Sequence, residues 1–419
     1  MDPLPGTPPP LDAEGRLDLP AALAAVRRAR ARCEAVRETP TVYSYTFSES
    51  SGSRVWLKLE NLQRTGSFKL RGALNKVLSL TPQERARGLA AASAGNHAQG
   101  VALAAKLEGL TATIVMPEST AVVKVRRTEH YGAEVRLVGR NYDEAQRHAR
   151  ELAEREGRTL IHPFDDFDVI AGQGTVGLEL LEQVPELEAV VVPVGGGGLI
   201  AGVAVALKAL RPEVRVIGVQ AVGAAPMVAS WRAGEQRSIE DPRTIAEGIR
   251  VGSTGAHTWS VVRELVDEMV TVDEEEIVDA MVVALQMSKV VPEAAGAAAI
   301  AAVAAGRVRS DGELCAVVSG GNIDLSLLGR LIESGLARQG FYHPLRVRVA
   351  DLPGELHRVV EALAETRCNI LDVQHLRSGW RVPVGCVDLE ILVETRSDFP
   401  GPAIEAFLVE RGLELVAPT

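Results

Sequence analysis

From residue 189 to residue 207 the chain carries no charged side chain, yet Pro193 and four consecutive glycines, Gly195, Gly196, Gly197 and Gly198, interrupt the run in its middle. The length approaches that of a membrane span. A continuous lipid-facing helix is excluded, because a backbone broken by proline and glycines cannot satisfy its own hydrogen bonds in hydrocarbon. A buried strand over 189–194, a turn without side chains and a helix over 199–210 use the same residues at no such cost. A strand this apolar belongs in a sheet covered on both faces. The same alternation recurs along the chain. Strands are expected at 88–91, 112–116, 134–138, 159–162, 214–219 and 313–318, and helices at 121–131, 142–156, 172–184, 274–288 and 294–305. That order predicts α/β units with parallel sheets.

The two ends of the chain differ from this pattern. Residues 1–16 are proline-rich, lack a basic or apolar targeting segment, and are expected to be a disordered leader. Helical spacing of Ala and Leu with Arg over 18–36 stops at Thr39-Pro40, since the residue before proline is pushed out of the α region. Beyond 340, strands at 345–350, 369–376, 385–394 and 413–416 alternate with helices at 354–366 and 402–411, the βαββαβ order of a ferredoxin-like module. A boundary is therefore expected near 341–344, separating an α/β domain over 17–340, with a smaller subdomain at about 80–160, from a module over 345–419. A chain of 419 residues exceeds the usual single core and has room for buried sites. Its net charge of −10 and lack of a basic cluster argue against nucleic acid as a partner. Four scattered cysteines, Cys33, Cys315, Cys368 and Cys386, have no metal-ligand spacing and fit a soluble, cytoplasmic protein.

Three motifs carry chemistry. The glycine turn between an apolar strand and a helix lets backbone N–H groups converge on a phosphate at the positive helix end. Its spacing is not that of a dinucleotide fingerprint, and no Walker lysine follows, so a smaller phosphorylated cofactor fits better; a flexible linker is the plain alternative. Ser93-Ala94-Gly95-Asn96-His97 follows a strand and offers a hydroxyl, turn amides, a carboxamide and an imidazole, a set suited to a carboxylate. Helix capping by Ser93 or Asn96, with His97 packed, accounts for the same loop. Lys69 lies between Phe68 and Leu70 in Ser67-Phe68-Lys69-Leu70-Arg71-Gly72-Ala73. An amine held among apolar side chains is easier to deprotonate, as Schiff-base chemistry requires, although a structural lysine reaching for water fits the heptad equally well.

Together these motifs resemble the pyridoxal-phosphate enzymes of the threonine dehydratase family, fold type II, over about residues 17–340. The heptad is similar to the family's cofactor-lysine motif, 93–99 to its carboxylate loop, 193–199 to its phosphate loop, and Ser319-Gly320-Gly321-Asn322 to the segment whose serine meets the pyridine nitrogen. The resemblance implies that Lys69 holds pyridoxal 5'-phosphate, Phe68 packs on its ring, Asn96 bonds the ring hydroxyl, and Gly195, Gly196, Gly197 and Gly198 with Leu199 bind phosphate. It places Ser319 at the pyridine nitrogen, Glu293 near the ring, and Ser93, Asn96 and His97 at the substrate carboxylate. Residues 345–419 resemble an ACT domain, which implies an amino-acid effector near Leu352, Gly354 and Asn369. The implied reaction is ammonia release from L-threonine, giving 2-oxobutanoate, with slower turnover of serine. Lys69 would move the Cα proton. A serine- or hydroxyaspartate-directed lyase on the same fold, or an inactive amino-acid sensor, are the alternatives. A homodimer or homotetramer is expected, and the broken apolar run at 189–207 argues against a membrane partner.

Two departures from the family matter. The racemase branch has a second serine where this chain has Ala94, which implies elimination without racemisation. Members that bind a divalent cation have a glutamate where this chain has Gln220, with Ala224 and Pro226 beyond, so no metal is expected.

Overall fold

The computed structural model describes residues 6–377, 382–396 and 398–416. The chain divides into two compact units, Met1–Ile323 and Asp324–Thr419.

The first unit holds two sheets. Its six-stranded sheet runs in the spatial order Thr41–Tyr43, Arg54–Leu59, Glu313–Val318, Leu187–Pro193, Arg215–Ala221, Glu268–Val272. Only Thr41–Tyr43 is antiparallel to its neighbour. Val190, Val191, Val192, Val216, Ile217 and Val219 are inaccessible to solvent, as strands covered on both faces require. Covering helices include Phe167–Gln183, Gly198–Leu210 and Ala294–Ala304. The smaller sheet is all parallel, in the order Glu134–Leu137, Ala112–Met116, Leu89–Ala92, Thr159–Leu160. Helix Tyr142–Glu156 shows why the sequence folds this way. Asn141 caps it by accepting from Glu144 N–H, and Ala145, Ala149, Leu152 and Ala153 form its single buried stripe.

Several expectations are corrected. Of the leader expected over 1–16, residues 1–5 lie outside the described residues and residues 6–16 are not free: Thr7 donates its N–H to Asp166 and its hydroxyl to Asp168, and accepts from Phe167 N–H. The helix expected over 274–288 is α-helical only over Glu274–Val283 and continues as a π turn, Ala284–Ser288, before Lys289 at φ 57°. Strand Glu268–Val272 and helices Tyr45–Ser51, Pro226–Ala233 and Ala256–Leu265 were not anticipated. Among the described residues no helix is long and apolar enough to cross a membrane.

The second unit opens with helix Leu325–Arg338, so the division falls ahead of the expected 341–344. Strands Tyr342–Ala350, Asn369–Leu376, Cys386–Glu394 and Glu414–Leu415 then alternate with helices Glu355–Glu365 and Gly401–Glu410 in the order βαββαβ. All pairings are antiparallel, with the strands in the spatial order second, third, first, fourth. Leu345, Val347, Val349, Val387, Leu389 and Ile391 form one buried face against Val359, Leu363, Ile404 and Leu408.

Candidate active site

The C-terminal ends of neighbouring parallel strands bring the motifs together. Leu59 pairs with Val318 in the parallel ladder, and beyond both strands Ser67 and Gly320 form an isolated antiparallel bridge: Gly321 N–H donates to Gly66 O at 2.9 Å and Phe68 N–H to Ser319 O at 3.1 Å. Ser319 is thereby set beside Phe68. Glu293 joins through its own N–H, which donates to Gly320 O at 3.0 Å.

Lys69 opens helix Lys69–Ser79, which sits tightly against two others. A Cβ on Gly172 would stand 2.5 Å from Arg71 O, and one on Gly100 3.1 Å from the Lys69 carbonyl carbon. Arg71 anchors the same turn. Its buried guanidinium bonds Glu60 at 2.8 Å and Glu179 at 2.5 Å, and Lys58 completes the cluster at 2.6 Å from Glu179. Two cations and two anions balance there, as burial demands. The Lys69 amine donates to Pro163 O at 2.7 Å and lies 5.1 Å from the Phe68 ring centre. Burial pushes its pKa down to about 8, against the pull of the Glu293 carboxylate.

Pro163 links the lysine to the glycine loop, because the next residue, Phe164, fills the space that glycine side chains would need. A Cβ on Gly196 would stand 2.5 Å from the Phe164 ring, and one on Gly198 3.0 Å from Phe164 Cβ. Gly197 has φ 99° and caps helix Gly198–Leu210 without any side-chain hydrogen bond. The first-turn N–H groups are thus left for an anion. Thr258 Oγ1 donates to Gly196 O at 2.6 Å, and Gln220 Nε2 donates to Val194 O at 3.1 Å and to Gly195 O at 3.3 Å. Gln220 therefore braces the loop through its amide. Leu199, next in the helix, is buried.

The carboxylate loop lies at the end of strand Leu89–Ala92. Ser93 Oγ accepts from Gly95 N–H at 3.2 Å, and helix Asn96–Leu107 also starts without a side-chain cap. Asn96 Nδ2 donates to Glu293 Oε1 at 2.5 Å, joining this loop to the large sheet. Burial pushes Glu293 up to about 7, opposed by that bond. His97 is placed differently from Ser93 and Asn96. Its ring is buried with Nε2 2.9 Å from Ile161 O, and burial lowers its pKa to about 3. In the second unit, Leu352 and Asn369 are exposed, and Gly354, at φ 98°, caps helix Glu355–Glu365.

Sequence reasoning missed the stretch His162-Pro163-Phe164-Asp165. His162 Nδ1 accepts from Asp165 N–H at 2.7 Å, and the Asp165 carboxylate accepts from Ala256, His257 and Thr258 N–H groups, which fixes Thr258 over the glycine loop. Its position just after strand Thr159–Leu160, where α/β sheets bind ligands, was the available signal.

Comparisons with known proteins agree with this geometry. Residues 33–320 match the family described as pyridoxal-phosphate dependent enzyme. An L-threonine ammonia-lyase of Thermotoga maritima is 47% identical over 380 residues, covering 91% of this chain and 95% of the relative. The processed form of threonine deaminase isoform 2 from Solanum lycopersicum superposes with a TM-score of 0.73 at 38% identity, covering 79% of this chain and 96% of that one. Maize serine racemase does so with a TM-score of 0.70 at 37% identity, covering 76% and 98%. With a family match over most of its length and a relative this similar end to end, the chain belongs to the pyridoxal-phosphate-dependent enzymes.

Proposed function

We propose that this chain is an L-threonine ammonia-lyase, releasing ammonia and 2-oxobutanoate from L-threonine. The observation that carries the reading is a buried Lys69 amine bonded to Pro163 O at 2.7 Å, next in sequence to Phe164, on which the uncapped glycine turn packs. The residues fit pyridoxal phosphate, whose phosphate needs a surface of backbone N–H groups; the glycine loop packs so closely on Phe164 and Ile249 that side chains are excluded. When bound, the cofactor draws electrons from the amino acid's Cα, so that the Cα proton becomes removable and the β-hydroxyl can leave.

The chain's own residues do the rest. Lys69 would hold the cofactor and move the Cα proton, which an amine about half neutral near pH 8 can accept. Phe68 would pack on the ring, Asn96 would donate to the ring hydroxyl, and Ser319 would meet the pyridine nitrogen. Gly195 to Gly198 and Leu199 would hold the phosphate, with Glu293 near the ring. Ser93, Asn96 and the backbone at His97 receive the substrate carboxylate. With Ala94 in the loop, no hydroxyl stands there to return a proton on the opposite face.

The second unit is read as a ferredoxin-like ACT module that binds a small amino acid near Leu352, Gly354 and Asn369. Its antiparallel βαββαβ sheet supports this. The Thermotoga match of 380 residues is longer than the 323 of the first unit, so the similarity to that relative extends into the second unit. Steady-state rates with L-threonine, L-serine and 3-hydroxyaspartate test the substrate assignment. The expected result is the highest kcat/KM for L-threonine and no D-serine from L-serine. A higher kcat/KM for another substrate, or accumulating D-serine, contradicts it.

A further inference from the structure

Asn322 stands in a run of hydrogen bonds that starts at a backbone carbonyl. Its Nδ2 donates to Thr65 O at 2.6 Å and to Asn96 Oδ1 at 2.8 Å, and Asn96 Nδ2 donates in turn to Glu293 Oε1 at 2.5 Å. A carbonyl oxygen only accepts, so Thr65 fixes which end of the Asn322 amide is nitrogen. That nitrogen needs an acceptor on the Asn96 side, which puts the Asn96 oxygen there and turns its nitrogen to Glu293. One main-chain carbonyl, in the turn ahead of Lys69, thus sets the polarity of the whole run.

Two glycines make room for it. A Cβ on Gly66, at φ 73°, would stand 2.5 Å from Asn322 Oδ1, and one on Gly320 would collide with Glu293 Oε1. A carboxamide nitrogen has two hydrogens. Asn96 uses one on Glu293, and the other has no partner among the described residues.

We propose that Asn322 is a positioning residue, holding Asn96 in the one amide orientation that turns an N–H donor, rather than an oxygen, toward the cofactor's ring hydroxyl. This rests on the reading of Asn96 given under the proposed function. Without Asn322 the Asn96 amide can turn over and set oxygen against oxygen.

The test compares Asn322→Asp, which cannot donate to Thr65 or Asn96, with Asn96→Ala and the double variant. Pyridoxal phosphate is titrated into each cofactor-free protein, following the dissociation constant and the visible absorbance band. Losing one hydrogen bond to the cofactor predicts binding weaker by about tenfold in Asn322→Asp, with its band shifted as in Asn96→Ala. The double variant should bind no more weakly than Asn96→Ala, within about twofold, because both changes remove one interaction. Asn322→Ala repeats the test without added charge should Asn322→Asp fail to fold. Wild-type affinity and band in the folded Asn322 variants, or losses that multiply in the double variant, overturn the proposal while leaving Asn96's role intact. An unaltered Asn96→Ala overturns both.

Discussion

Glu293 and Lys69 are both buried, and burial moves their proton affinities in opposite directions. Glu293 rises from 4.5 to about 7, and Lys69 falls from 10.5 to about 8. Between about pH 4.5 and 7 the folded cofactor-free protein keeps a proton on Glu293 that the unfolded chain has released, so stability falls as pH rises through that window. For Lys69 the unfolded chain holds the extra proton between about pH 8 and 10.5, so stability rises there. Glu293→Gln should remove the first effect. Its melting temperature relative to the wild type is expected to climb from pH 4.5 to 7, and a constant difference would mean that Glu293 titrates as an ordinary carboxylate. The lysine's setting was legible in sequence, because Phe68 and Leu70 flank it. The Glu293 partner was not: Asn96 lies 197 residues away, and only the meeting of two sheets joins them.

At the scale of elements, the strand, glycine turn and helix at 189–210 each have a separate physical requirement. Gly197 needs a left-handed φ, Gly196 and Gly198 need the space against Phe164, and Gly195 needs it against Ile249. Gly196→Ala should therefore weaken pyridoxal phosphate binding by about tenfold, within the ~1–3 kcal/mol that overpacking costs. A fluorescence titration giving wild-type affinity would show that Phe164 yields freely. Strands such as Leu187–Pro193 were legible because burial on both faces makes them continuously apolar. Strand Glu268–Val272 was not, since it is half-buried, short, and runs into the acidic start of the next helix. Helix Leu325–Arg338 was not anticipated although Leu325, Leu328, Leu331, Ile332 and Leu336 recur at helical spacing. The Pro163-Phe164 turn has no periodicity at all, and its role follows from contacts with distant glycines.

At the scale of the whole molecule, apolar residues at every second position, Leu345, Val347 and Val349 and again Val387, Leu389, Ile391 and Val393, made the second unit's strands legible. The start of that unit was obscured by the helix ahead of it. If it senses amino acids, millimolar isoleucine or valine should shift the threonine saturation curve of the full-length enzyme several-fold, a coupling of ~1–3 kcal/mol. Superimposable curves would contradict regulation by those ligands. The central claim concerns one amine in this assembly. Ammonia and 2-oxobutanoate release from L-threonine, measured on the full-length chain saturated with pyridoxal phosphate, tests it when wild type and Lys69→Ala are run side by side. The account predicts stoichiometric release by the wild type, and from Lys69→Ala neither turnover nor the absorbance band of lysine-bound cofactor. Sustained release by Lys69→Ala would contradict it.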